Sequence, residues 1–214
     1  MIYGQRGSGK TTKSQSLVAD KVRLLVYDTL GHDYANGLVS SDRATFETIW
    51  KRTYAGRFRL VYRPRDPQGE FADICRMVYA CGRMTFVVEE TDLFFTGAKC
   101  DPAFTDVIVR GRHEQIELLA VTQCPTGFGP LLRSQAHEWF VFRTREPQHV
   151  DYLKKRCAGV DPQHIIGLAQ YEYIHYVDGV DGYDVCRDDL AGNTETRHVE
   201  TSAGQPVGEH ADAG

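Results

Sequence analysis

Eleven residues at the start of this chain constrain its fold more than any others. They read MIYGQRGSGKT, with four residues between Gly4 and Gly9-Lys10-Thr11. This is G-x-x-x-x-G-K-[ST], a loop that cradles phosphate groups. Met1–Tyr3 form a minimal apolar strand before it. The run TTKSQSLVADKV after Lys10 reads as a helix, with Leu17, Val18 and Val22 on one side. Strand, glycine loop and helix is the context the motif requires.

The chemistry of the loop is direct. Gly4, Gly7 and Gly9 let successive N–H groups turn into one concavity. The helix adds the positive end of its dipole. Lys10 is expected to reach the β- and γ-phosphates of ATP, and the Thr11 hydroxyl to ligate Mg²⁺. Ser8 and Thr12 complete the set around the phosphates. A glycine-rich turn that merely contains Lys-Thr is the bland alternative. The motif's length and placement rank it far behind.

The 214 residues read as one domain over 1–190 and a disordered tail over 191–214, which holds no aromatics and almost no aliphatics. Apolar content is 42%, and the net charge of −4 provides no global attraction to nucleic acid. Any such role must rest on local patches: Arg57, Arg59, Arg63 and Arg65; Arg110, Arg112 and His113; Lys154, Lys155 and Arg156. Each taken singly is as well explained as a solvated face. No apolar run reaches membrane-span length, and a phosphate loop opening at the fourth residue leaves no room for a signal peptide. The six cysteines show no CxxC pair and read as free thiols in a reducing cytoplasm.

Short apolar runs alternate with helical patterns. Strands are expected at Leu24–Tyr27, Leu60–Tyr62, Thr85–Val88, Leu118–Val121 and Trp139–Phe142. Helices are expected around Phe46–Thr53 and after Asp66-Pro67, Asp101-Pro102, Pro147 and Asp161-Pro162. Strands apolar on both sides imply an α/β fold with a mostly parallel sheet between helical layers. Tyr171–Val177, the turn DGVDG and Tyr183–Val185 read as a C-terminal β-hairpin.

Phe86-Val87-Val88-Glu89-Glu90 is an apolar strand ending in paired acids. Beside a phosphate loop, the first acid, Glu89, would hold the Mg²⁺ shell, and the second, Glu90, would polarise water toward the γ-phosphate. Paired acids point to hydrolysis rather than phosphate delivery to an acceptor. A pair of solvated carboxylates is the weaker alternative. Gln123 closes the Leu118–Val121 strand and can sense the γ-phosphate or position water, although a Gln there is commonly a loop cap.

The order phosphate loop, VVEE, then RGRHEQIELLAVTQCPTGFGPLLRSQAHEWFVFRTREP resembles the FtsK–HerA superfamily of P-loop ATPases. Within it, the chain is similar to the single-domain genome-packaging ATPases of membrane-containing icosahedral viruses and related phage proteins. The resemblance covers roughly Met1–Leu153 and is most specific at Gly111-Arg112-His113, Thr122-Gln123 with Pro125, Arg133 with Gln135, and Phe142-Arg143. It implies a three-layer P-loop NTPase sandwich with core order 5-1-4-3-2. It further implies a homo-oligomeric ring, usually a hexamer, and translocation of double-stranded DNA without sequence preference. An arginine supplied by a neighbouring subunit is implied too; Arg112 and Arg133 are the candidates, with Arg143 behind. Location in the host cytoplasm or on the virion follows, with a capsid vertex or membrane protein as docking partner. The family's first acid is usually Asp, where this chain has Glu89, and Asp92 is a stand-in. An Arg often follows Thr-Gln, where this chain has Cys124.

Three other readings compete. Filamentous-phage assembly ATPases of the zonular occludens toxin type usually carry a membrane span. A small-molecule P-loop kinase needs an Arg-rich lid, and no such segment stands out. A non-hydrolysing switch would make Glu90 dispensable.

Overall fold

The computed structural model describes residues 1–32, 34, 37–127, 129–189 and 193–201. In chain order the first half comprises β1 (Ile2–Tyr3), α1 (Lys10–Leu17), β2 (Arg23–Tyr27), β3 (Leu38–Ser40), α2 (Arg43–Thr53), β4 (Phe58–Tyr62), α3 (Pro67–Cys81) and β5 (Met84–Val88). A 3-10 turn over Thr91–Phe94 leads to the small hairpin β6 (Phe95–Thr96) and β7 (Lys99–Cys100). Then come α4 (Pro102–Arg110), β8 (Ile116–Thr122), α5 (Pro130–Gln135), β9 (Glu138–Phe142), α6 (Pro147–Arg156) and α7 (Pro162–Gly167). The antiparallel strands β10 (Glu172–Val177), β11 (Tyr183–Asp188) and β12 (Thr194–Val199) end the described chain.

One large sheet organises these elements in the order β12-β11-β10-β9-β1-β8-β5-β2-β4-β3. From β9 to β3 every neighbouring pair is parallel. The stretch β9-β1-β8-β5-β2 is the 5-1-4-3-2 order implied by the resemblance, extended by β4 and β3 beyond β2. Alternation along each strand splits the apolar side chains between two faces. Leu25, Tyr27, Phe86, Val88, Trp139 and Val141 point to one core, and Leu24, Val26, Val87, Val121, Phe140 and Phe142 to the other. The layers are unequal. Helices α2 to α7 all contribute to the first core, whereas α1 with Tyr34 covers the second.

Aspartates start four of the six helices on the thicker side. Asp42, Asp66, Asp101 and Asp161 each accept a hydrogen bond from a first-turn N–H. Such a cap is worth about 1 kcal/mol. The proline that follows Asp66, Asp101 and Asp161 presets the first helical φ.

Two local expectations change, and two short elements go unanticipated. Helix α1 stops at Leu17 and leaves Val22 46% exposed, because Arg59 donates to the carbonyls of Val18 and Lys21 (2.9 and 2.5 Å) and fixes a turn there. Strand β3 is a short edge with Leu38 and Val39 exposed, so it carries no two-sided apolar signal. Helix α5, six residues long, is too short for a helical period to register. The tail expected from 191 contains β12, which makes the hairpin a three-stranded meander. Its residues are mostly exposed and held by backbone pairing to β11, so composition carries no trace of it. Residues 190–192 and 202–214 lie outside the described residues.

Candidate nucleotide site

Strand order assembles the site. β1 lies between β9 and β8, and β8 lies between β1 and β5. All run parallel, so the phosphate loop after β1, Gln123 after β8 and Glu89-Glu90 after β5 emerge at the same, C-terminal edge. That edge is where open α/β sheets bind ligands.

The phosphate loop packs tightly on its neighbours. Gln5 N–H donates to the Arg143 carbonyl (3.3 Å) and Gly4 N–H to the Thr122 carbonyl (3.4 Å). A Cβ at Gly4 would come 2.5 Å from the Phe142 Cβ, so only glycine fits. Gly9 has φ +113°, a left-handed conformation costly for other residues. Unlike the aspartate-capped helices, α1 begins at Gly9 with no side-chain cap and no acid in its first turn. Its leading N–H groups therefore suit phosphate oxygens. Lys10 donates to the Gln5 carbonyl (3.1 Å). Burial pulls the Lys10 ammonium below its usual pKa, while Glu90, Glu89 and Asp92 oppose that shift.

The two acids have different surroundings. Glu89 is 1% exposed and accepts a hydrogen bond from the Tyr34 hydroxyl. Tyr34 in turn shares a hydrogen bond with Ser14 of α1 (2.7 Å). Burial first, then the charge of Glu89, push the Tyr34 hydroxyl well above its usual pKa, so it remains a donor. Glu90 is half-buried, sits at φ +49°, and accepts from Gln123 Nε2 at 2.6 Å. The structure thus brings Glu90 and Gln123 into direct contact. Asp92 is engaged by the Thr122 hydroxyl (2.6 Å).

Mg²⁺ is normally held by one or two side-chain oxygens together with phosphate oxygens and waters. The Thr11 hydroxyl and the buried Glu89 carboxylate offer such hard donors. Glu89, Glu90 and Asp92 all lie near enough to act on the Lys10 ammonium. These residues fit Mg²⁺. When bound, the ion would neutralise charge on the β- and γ-phosphates.

The candidate arginines lie elsewhere. Arg112 sits exposed in the turn before β8, at the opposite edge of the sheet. A seven-residue strand separates that edge from Gln123, about 20 Å at roughly 3.3 Å per residue. Arg133, in α5, packs 5.4 Å from the centre of the Tyr152 ring. Neither joins the phosphate loop of its own chain. Arg143 does lie beside the loop, and its Nε is buried with no hydrogen-bond partner. Among the basic patches, Arg63 pairs with buried Asp28 (2.9 Å), and Arg59 caps the turn after α1. Arg57 and Arg65 remain exposed. Arg156 forms a two-pronged pair with Asp178 (2.7 and 2.6 Å), whereas Lys154 and Lys155 are exposed.

Sequence reasoning missed Tyr34 and Ser14, which hold Glu89, and the segment Gln170-Tyr171. Tyr171 N–H donates to the Ser8 carbonyl at 3.0 Å. It also missed Lys13, whose buried ammonium donates to the Tyr173 hydroxyl (2.5 Å) and lies 3.4 Å from Asp188, tying α1 to the meander. No local pattern marks these residues, since their partners lie far along the chain.

The fold and the edge it builds define a P-loop NTPase architecture. Among solved structures, the chain is similar to the genome packaging NTPase B204 from Sulfolobus turreted icosahedral virus 2 in complex with AMPPCP. The two share 17% identity over 93% of this chain and 95% of that one, with a TM-score of 0.68. It is also similar to B204, the DNA-packaging ATPase from Sulfolobus turreted icosahedral virus (19% identity, 93% and 95% covered, TM-score 0.68). VirB4 of Thermoanaerobacter pseudethanolicus is more distant (10% identity, 95% and 89% covered, TM-score 0.56). At these identities the likeness is one of fold. No family model and no curated protein matches the chain.

Proposed function

We propose that this chain is an FtsK–HerA-type ATPase that couples hydrolysis to movement of double-stranded DNA, packaging a viral genome into a preformed capsid. The observation that carries hydrolysis is the convergence at one sheet edge of the Lys10 loop, buried Glu89 and the Glu90–Gln123 pair. The fold likeness to two packaging ATPases over 93% of the chain supports the choice of cargo. In this reading Lys10 and Thr11 hold the triphosphate, Glu89 stands on the Mg²⁺ side, and Glu90, oriented by Gln123, takes the proton of the attacking water. The protein acts as a ring, hexameric as such ATPases usually are, in the host cytoplasm. It docks on a capsid vertex or a membrane protein. Among the described residues no helix is long and apolar enough to cross a membrane.

A pump must grip any sequence, so it contacts phosphates and ignores base edges. Double-stranded DNA should therefore raise steady-state phosphate release. Unrelated duplexes should bind alike, and binding should weaken steeply with salt. Hydrolysis that ignores DNA, together with phosphorylation of a nucleoside, would favour a kinase instead.

Arg112 stands at the far end of β8 from Gln123, and Arg133 packs on Tyr152; in a ring a neighbour's arginine would come to the loop. Subunits carrying Arg112→Ala or Arg133→Ala should be inactive alone and recover partly when mixed with Lys10→Ala subunits. No recovery in rings shown to be mixed would mean the arginine works in cis or only in structure.

A further inference from the structure

The segment between α7 and β10 lies against the phosphate loop. Tyr171 N–H donates to the Ser8 carbonyl (3.0 Å), and Gln170 Nε2 donates to the Gly7 carbonyl (3.3 Å). A Cβ at Gly9 would come 2.9 Å from Tyr171 Cδ1, so the ring packs flush on the glycine backbone. Tyr171 has φ +65°, uncommon for so bulky a residue. Its surroundings hold it there: its carbonyl accepts from Asp188 N–H (3.2 Å), and Tyr173, two residues on, is tied to Lys13 and Asp188. Gln170 and Tyr171 line a groove of about 200 Å³ together with Gly7, Lys10 and Thr12. The phosphate loop and the first turn of α1 make one side of this groove, and Gln170-Tyr171 makes the other.

We propose that Tyr171, flanked by Gln170, is the wall that receives the nucleobase, and that it holds the base by stacking alone, so that ATP and GTP are accepted alike. The proposal rests on reading Gly4–Thr12 as a triphosphate site. The groove is smaller than the roughly 300–1,000 Å³ of pockets that enclose a ligand. The base therefore lies on an open wall rather than in a slot. Strong selection among bases needs fixed polar groups that pair with the base edge. Among the described residues that line the groove, Gln170 is the polar side chain on the Tyr171 side, and its amide nitrogen is held by the Gly7 carbonyl of the phosphate loop. A tyrosine ring stacks on any base, because every base has a π-face.

The test is equilibrium binding of ATP, GTP and inorganic tripolyphosphate, each with Mg²⁺, to wild type, Tyr171→Asn and Tyr171→Phe. Asparagine removes the ring and tolerates positive φ, which protects the fold. Wild type should bind ATP and GTP within about threefold of each other, since stacking tolerates either base. Tyr171→Asn should lose roughly tenfold to a hundredfold for both nucleotides, the size of one lost stack. It should bind tripolyphosphate as wild type does, and Tyr171→Phe should bind all three normally. Unchanged ATP affinity in Tyr171→Asn overturns the proposal. So does an equal loss of ATP and tripolyphosphate, which would make Tyr171 a support for the loop, and so does a strong ATP-over-GTP preference in wild type. Failure of wild type to bind tripolyphosphate at all would instead overturn the phosphate-loop reading beneath it.

Discussion

Replacing Lys10 with alanine should lower steady-state phosphate release by at least roughly a hundredfold to a thousandfold, the scale for losing one charge-stabilising donor at a reacting centre. The ammonium stands at the loop with the Gln5 carbonyl as its hydrogen-bond acceptor, and Glu89, Glu90 and Asp92 supply charge around it. Among the described residues no other lysine lines this groove. Without Lys10, charge developing on the transferred phosphoryl group meets three acids and no ammonium. The folded state should survive, because the substitution removes a partly desolvated charge and a single hydrogen bond to a loop carbonyl. Thermal melting should therefore stay near the wild-type value while turnover collapses. Turnover close to wild type would remove the phosphate-loop assignment.

Glu90→Gln should bind nucleotide normally and lose hydrolysis by roughly a hundredfold to ten-thousandfold, the usual range for a general base. The amide keeps the size of the side chain, and its oxygen can still accept from Gln123, so the contact survives. What it loses is the basicity that takes a proton from water. Glu89→Gln is the matched control. Glu89 is buried and held by Tyr34, so its substitution should act on the metal side, raising the Mg²⁺ concentration needed for half-maximal turnover. If Glu89→Gln abolished hydrolysis at saturating Mg²⁺ while Glu90→Gln retained it, the roles of the two acids would be reversed.

The left-handed backbone at Glu90 gives these predictions a structural basis. Glu89 follows β5 with its side chain buried and its N–H donating to the Tyr27 carbonyl (3.1 Å), and Glu90, at φ +49°, reaches Gln123 beyond β8. Adjacent acids in sequence thus reach different partners, Tyr34 for one and Gln123 for the other. Paired acids at a strand end are visible in the sequence. Their separation into two environments depends on one backbone torsion and on the strand lying next to β5.

The sequence by itself determined the elements whose signals are local. The phosphate loop is a spacing of glycines and one lysine within nine residues, Gly4 to Thr12. The helices after Asp66 and Asp101 announce themselves by a capping acid and a proline. The strands β2, β5, β8 and β9 are apolar runs that only a two-sided sheet can bury. Tertiary structure alone decided the contacts that finish the site. Gln123 reaches Glu90 across 33 residues because β8 pairs with β5. Gln170 reaches Gly7 across 163 because β10 folds back along β9, beside β1. Arg59 and Arg63, basic enough in sequence to suggest a grip on DNA, are instead turned inward to a helix end and to Asp28. Strand β12 shows the same division, since its polar residues are ordered by backbone pairing to a neighbouring strand. Periodicity and capping act over a few residues along the chain. Hydrogen bonds and packing across a sheet depend on which strands become neighbours, and that order is set only when the whole chain collapses around its two cores.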